Sequence, residues 1–366
     1  MMNDRIYLPG LNGVRAIAAM AVVITHINNR LDYYGLLKAP LLDLASYGVT
    51  IFFTLSGFLI TYLLLKEQEK TDTIDIKKFY MRRVFRIWPL YYFYLFIVVL
   101  VNGISNIQWP ILFYLFIVPN FKNSFLGLIN TSVGTTVMTF MIGHYWSLGV
   151  EEQFYAFWPW IVKKSKKLFK FLVVFPIVFV LMKLVLRIFD APYTILVFVN
   201  YTRFGCLAIG GLGAYMYHKN SQKLEIFNKK GIELLAWAFF IIVAFNKFHI
   251  TSIIDHEIIA VFTLIIIFNQ INNPKKLISL ENKLFDYLGK ISFGLYVYNP
   301  LVIYLMAFIF NYFAIENHRI RLLLIYLLVI PAIILVAHLS YNYFEKRFLK
   351  LKSNYTTVQS AASKSE

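Results

Sequence analysis

Residues 8–30 read LPGLNGVRAIAAMAVVITHINNR, an apolar segment long enough to span a bilayer that nevertheless carries a cation, Arg15, and an imidazole, His26. At 100° per residue the steps between them come to three turns plus about 20°, so both side chains share one helix face. They stand roughly 16 Å apart along the axis, about half of a hydrocarbon core. Ionisable groups in a membrane helix are costly and usually face an interior cavity. The pair points a cation toward one side of a membrane and a candidate base toward the other.

Composition agrees with a membrane setting. Hydrophobic residues make up 59% of the 366 residues and charged residues 15%, with a mean hydropathy of +0.63. A soluble domain holds roughly 25% charged residues, so the chain reads as a polytopic membrane protein. Its 25 tyrosines and 35 phenylalanines suit lipid-facing surfaces and interfacial belts. One cysteine, Cys206, excludes an internal disulfide and a Cys-based metal cluster, and beside Gly205 it reads as a packing residue. The net charge of +17 suggests nucleic acid, but its distribution argues against that partner and for membrane lipids.

Apolar stretches recur near residues 11–29, 43–65, 87–105, 145–162, 171–188, 200–217, 231–248, 256–272, 291–313 and 322–344. The loops at 66–86, 163–170, 218–230 and 273–290, with Arg5 and the tail from Glu345, hold most of the 36 lysines and arginines. The positive-inside rule puts those loops and both termini in the cytoplasm. The expected fold is therefore all-α, a polytopic bundle of about ten transmembrane helices.

Residues 106–144 hold two short apolar runs, QWPILFYLFIVPNF and TSVGTTVMTFMIG. A single crossing there would put the KKSKK loop outside, so the segment reads as external or re-entrant. The first apolar run, with its internal Arg and His, is unlike a cleaved signal peptide. Residues 1–350 read as one membrane-embedded domain and 351–366 as a disordered cytoplasmic tail, with no soluble enzyme domain fused at either end.

This topology gives the polar residues a depth. Arg15 enters from the cytoplasmic side, and His26 lies near the outer end of the first span. The fourth span opens HYWSLGVEEQFYAFWPW, which sets Glu151 and Glu152 one to two turns below the outer surface, at a depth similar to that of His26. A neutral imidazole beside an intramembrane carboxylate is a general-base arrangement, although a plain interhelical hydrogen bond uses the same residue types. At the cytoplasmic mouth Lys77, Lys78, Arg82, Arg83 and Arg86 converge before Trp88-Pro89. Arg83 and Arg86, three apart, form a fork suited to a phosphate, whereas inner loops also collect cations simply to orient helices.

Several motifs together resemble one family. Arg15-x10-His26, GVTIFFTLSGFLI (48–60), RRVFRIWP (82–89) and HYWSLGVEEQFYAFWP (144–159) are similar to landmarks of the membrane-bound acyltransferase family 3. RFGCLAIGGLGAY (203–215), LGKISFGLYVYNP (288–300) and SYNYFEKRF (340–348) follow in the family's order, so the resemblance covers residues 8–350. It implies transfer of an acyl group, most often acetyl, from cytoplasmic acyl-CoA to a hydroxyl of a cell-surface glycan or lipid-linked sugar. By position it implies Arg15, Arg83 and Arg86 as ligands of acetyl-CoA, and His26 as base or acyl relay. Glu151 would orient that histidine. Arg203 would polarise the thioester carbonyl or bind acceptor, with Trp146 and Glu152 on the substrate side and Glu152 at a less strict position. An alcohol is a weak nucleophile, so a base and a partner for the oxyanion are what this chemistry needs.

The chain departs from the family in places. Asn299 stands where many relatives carry His, so no second catalytic histidine is expected there. Thr50 occupies a position often held by Asp. No SGNH-type domain follows, so the chain acts alone or with a separate extracytoplasmic partner protein. No metal is expected: apart from Asp255-His256-Glu257, which reads as a helix cap, the histidines lack ligand spacing. His144 lies two turns from Glu151 on one face, and Tyr155 one turn beyond it. Gly210-Gly211-x-Gly213 and Ser56-Gly57 read as close helix packing, with Ser56 also a candidate cavity residue. A transporter or flippase using Arg15, Glu151 and Arg203 is the alternative, against which the lack of inverted repeats argues.

Overall fold

A computed structural model describes residues 5–128, 137–220, 222–313 and 315–361. In chain order these form β1 (Arg5–Tyr7), α1 (Leu11–Asn28), α2 (Leu44–Thr71), α3 (Ile76–Asn102), α4 (Ile111–Leu115), α5 (Phe121–Leu128) and α6 (Val137–Gly143). There follow α7 (Trp146–Lys164), α8 (Leu168–Ile188), α9 (Tyr193–Tyr201), α10 (Phe204–His218), α11 (Lys230–Ala244) and α12 (Asp255–Asn272). Last come α13 (Lys283–Lys290), α14 (Ser292–Tyr312), α15 (His318–Ser340), α16 (Lys346–Ser353) and β2 (Gln359–Ala361). Local chemistry sets several starts. Asp75 caps α3 by accepting from Lys78 N, and Asn317 caps α15 by accepting from Arg319 N and Ile320 N.

Every stretch expected to span is helical, but seven helical stretches among the described residues are long and apolar enough to cross a membrane. The chain is thus a multi-pass helical membrane protein. Three expected spans fall outside that set. One of them, α11, has 15 residues, and another, α7, carries Glu151, Glu152, Lys163 and Lys164. The expected span at 200–217 is part of a broken one in which α9 and α10 meet at Thr202-Arg203. Residues 106–143 form only short helices, with 129–136 outside the described residues.

The core is wrapped around α1 and α2. The backbones of α2 and α10 nearly touch: a Cβ on Gly57 would stand 1.9 Å from Leu207 O, and one on Gly210 would stand 2.0 Å from Thr54 O. Only glycine allows that approach. Cys206 is buried and free, in keeping with a packing role.

The helical fold has one small exception, a parallel pairing of β1 with β2 that joins Arg5 to Gln359 and Tyr7 to Ala361. This pairing bears on the expected disordered tail. After α16 the chain lies on α3, where Arg82 Nη1 donates to Tyr355 O at 2.9 Å and the Phe85 and Tyr355 rings stack at 5.7 Å. Residues 362–366 lie outside the described residues. Contacts such as Tyr7 Oη to Glu281 Oε1 at 2.6 Å mark the near end of the bundle, where α1 begins. Tyr34 Oη to Ile303 O at 2.7 Å marks the far end, where α1 finishes.

Candidate functional site

A cavity of about 480 Å³ opens from the near end into the bundle. Arg15 from α1, Arg83 and Arg86 from α3, Glu151 and Tyr155 from α7, and Lys352 from α16 all line it. The arginines that the sequence set at the cytoplasmic mouth are therefore brought together with Arg15. They lie close enough to repel one another, with Glu151 opposing them. Among the described residues none of the three arginines forms an ion pair, and Arg83 Nε is buried without a hydrogen-bond partner. Arg83 lies over the Tyr155 ring at 5.3 Å. Unpaired guanidinium groups in a half-buried cavity call for an anionic ligand. Arg82 is otherwise engaged: it pairs with Glu67 at 2.8 Å and serves the fold.

His26 sits past the deep end of this cavity and pairs with a residue that the sequence reading had set aside. Its Nδ1 is 2.6 Å from Asn299 Oδ1. Asn299 spends both amide N–H donors on Leu295 O at 3.0 Å and Tyr296 O at 2.7 Å. Its oxygen must therefore face His26, and His26 must donate from Nδ1–H. That network sets the tautomer and leaves Nε2 with a free lone pair, the state a general base requires. The His144 ring lies 6.2 Å away, with both nitrogens buried and without a hydrogen-bond partner.

The expected His26–Glu151 pair is not formed. Tyr155 Oη donates to Glu151 Oε1, and the carboxylate faces the arginines rather than the imidazole. The cause is helical rise. His144 is the residue beside His26, and Glu151, seven residues further along, lies about 10 Å deeper at 1.5 Å per residue. Loop charges locate a span's end only to within a turn or so, which is enough to mistake the level of a carboxylate. Between the two levels Tyr296 Oη donates to His144 O at 2.7 Å and meets Ser147 Oγ at 2.6 Å.

The residues expected on the substrate side separate. Glu152 turns toward α3, where Trp88 Nε1 donates to its Oε2 at 3.3 Å, and it lines neither void. Arg203 and Trp146 do meet, with the guanidinium 5.0 Å from the indole. Arg203 lines a second void, about 530 Å³, at the far end. Its Nη1 donates to Ser46 O at 2.7 Å and Thr50 Oγ1 at 3.1 Å, and its Nη2 to Ser46 Oγ at 2.8 Å. Thr50 also meets His256 Nδ1 at 3.0 Å. The expected Asp255-His256-Glu257 cap is spread over three partners: Asp255 takes His249 at 2.7 Å, His256 takes Thr50, and Glu257 pairs with buried Lys183 at 2.8 Å. Sequence reasoning missed Lys352 and Asn299, since nothing local marks a contact made across the whole fold.

The fold and these voids define a multi-pass membrane protein built around a cation-lined cavity. A family profile described as an acyltransferase domain matches residues 8–342, and the chain belongs to that acyltransferase family. A Staphylococcus aureus (strain COL) protein, provisionally named as an O-acetyltransferase, is 30% identical over 371 residues, covering 94% of this chain and 58% of the relative. O-acetyltransferase OatA of S. aureus (strain NCTC 8325 / PS 47) is 26% identical over 368 residues, covering 93% of this chain and 57% of the relative. The chain thus spans a little over half the length of these relatives. No solved structure is significantly similar to it.

Proposed function

We propose that the protein is a membrane O-acyltransferase that moves an acyl group, acetyl, from cytoplasmic acyl-CoA to a hydroxyl of an extracytoplasmic polysaccharide or glycolipid. The bacterial inner membrane is its setting, with the near end in the cytoplasm. The observation that carries this reading is the convergence of Arg15, Arg83 and Arg86, unpaired among the described residues, with Lys352 in one cavity whose lining includes Tyr296, which packs on His144, the ring beside His26. Their charges suit the phosphates of a CoA thioester, and Glu151 with Tyr155 limits the arginines' mutual repulsion. His26 Nε2 takes the acceptor's hydroxyl proton as the oxygen attacks the thioester carbonyl. The C–S bond then breaks, an ester forms, and the proton passes on to the departing thiolate. The names of the relatives support acetyl as the group and oxygen as its destination.

Purified protein incubated with radiolabelled acetyl-CoA tests the reading. Saturable donor binding, with slow CoA release when water is the only acceptor, is expected. A folded preparation that neither binds the donor nor releases CoA sinks the proposal.

A further inference from the structure

The far-end void between α2, α9, α12 and the start of α10 shares no lining residue with the arginine cavity and does not contain His26. We infer that it is a saccharide-binding subsite holding a neutral stretch of glycan beside the reacting centre, which rests on the acyl-transfer reading above. Its inner polar groups are already hydrogen-bonded. Arg203 gives its donors to Ser46 and Thr50. Asp255 accepts from Ile250 N and Thr251 N at 3.0 Å each and from His249 Nδ1 at 2.7 Å. The single guanidinium that lines the void is held by neutral acceptors and faces two carboxylates in the same lining, Asp43 and Asp255, which disfavours an anionic ligand. So many polar groups equally disfavour a lipid chain.

What remains free suits a sugar. Asp255 takes the Nδ1 side of His249, which leaves Nε2 turned away from it on a side chain that is 70% exposed and open to a hydroxyl. Asn200 Oδ1 is buried without a hydrogen-bond partner. Tyr193 and Tyr201 add flat apolar rings with polar rims, and Tyr193 is 80% exposed. Aromatic faces for C–H surfaces, together with fixed acceptors for hydroxyls, are what binding a pyranose ring requires. The subsite also lies close to the donor. The Tyr201 ring packs on Trp146 at 4.6 Å, and Trp146 packs at 6.2 Å on Phe53, which lines the arginine cavity.

The full chain in lipid nanodiscs, titrated by calorimetry with neutral tetrasaccharides of glucose, mannose and N-acetylglucosamine, tests the assignment. At least one should bind, with an affinity unaffected by salt. Tyr193→Ala and Asn200→Leu should each weaken that sugar about tenfold, with acetyl-CoA affinity unchanged as the control for folding. If no tetrasaccharide binds, or if both variants bind as tightly as the unaltered protein, the subsite is wrong. Sugar binding without any acetyl-CoA binding overturns the acyl-transfer reading instead and leaves the subsite standing.

Discussion

The two voids differ in how they treat their charges. At the near end three guanidinium groups crowd one cavity with no ion-pair partner among the described residues. At the far end one guanidinium is saturated by a serine and a threonine, and a carboxylate is saturated by an imidazole and two backbone N–H groups. Uncompensated charge in a low-dielectric setting is expensive, so the near cavity is arranged to receive the missing sign from a ligand. The far void mixes both signs, with Arg203 beside Asp255 and Asp43 in its lining, and adds ring faces and hydroxyls. One protein thus presents an ionic socket and one of mixed sign, with Trp146 and Phe53 between them.

The largest predicted effect lies at neither socket but at the base between them. His26→Ala should lower transfer by roughly a thousandfold, the usual weight of a general base, while acetyl-CoA affinity stays unchanged in equilibrium binding. Lost donor binding in that variant would move His26 into the ionic socket. Next in size, reversing charge at Arg83 and Arg86 together should weaken acetyl-CoA by about a hundredfold or more, since hydrogen bonds to charged groups count for roughly 1.5–3 kcal/mol each. Equal donor affinity in the double variant removes the arginines from the mechanism.

Asn299→Leu should cost transfer roughly thirtyfold, because a base held in the wrong tautomer loses much of its catalytic contribution. Asn299→Asp, which keeps an acceptor for Nδ1–H, should recover part of that loss. If leucine and aspartate variants are equally impaired, Asn299 matters for packing rather than for the tautomer. The smallest effect belongs to Lys352→Ala, which should weaken acetyl-CoA about fivefold, the scale of one partly exposed charge–phosphate contact, and should do so less at high salt. No change at low salt excludes it from the socket.

Much of the ionic socket was legible in the sequence. Arg15 stands out as a cation in an apolar helix, and Arg83 and Arg86 share a face at a spacing of three. Helical period alone links such residues. The base's partner was not legible, because Asn299 meets His26 across 273 residues of chain and carries no charge to attract notice. Lys352 was hidden in a stretch whose polar composition suggested disorder, yet residues 346–361 form α16 and β2. Glu151 was legible as a residue and misjudged as a neighbour, because loop charges fix the direction of a helix more sharply than its depth. Of the ten expected spans, α7, α11 and α12 are helical where expected but fall outside the seven stretches long and apolar enough to cross a membrane among the described residues.

The touching backbones of α2 and α10 at Gly57 and Gly210 make their seam intolerant of any side chain. A Cβ at either glycine would force the helices apart and draw Ser46 and Thr50 of α2 away from Arg203 at the start of α10. On the opposite side Trp146 begins its helix and meets Phe53, Tyr201 and Arg203 through ring contacts. Because α2 lends a wall to both voids, the spacing set at those two glycines is felt in each.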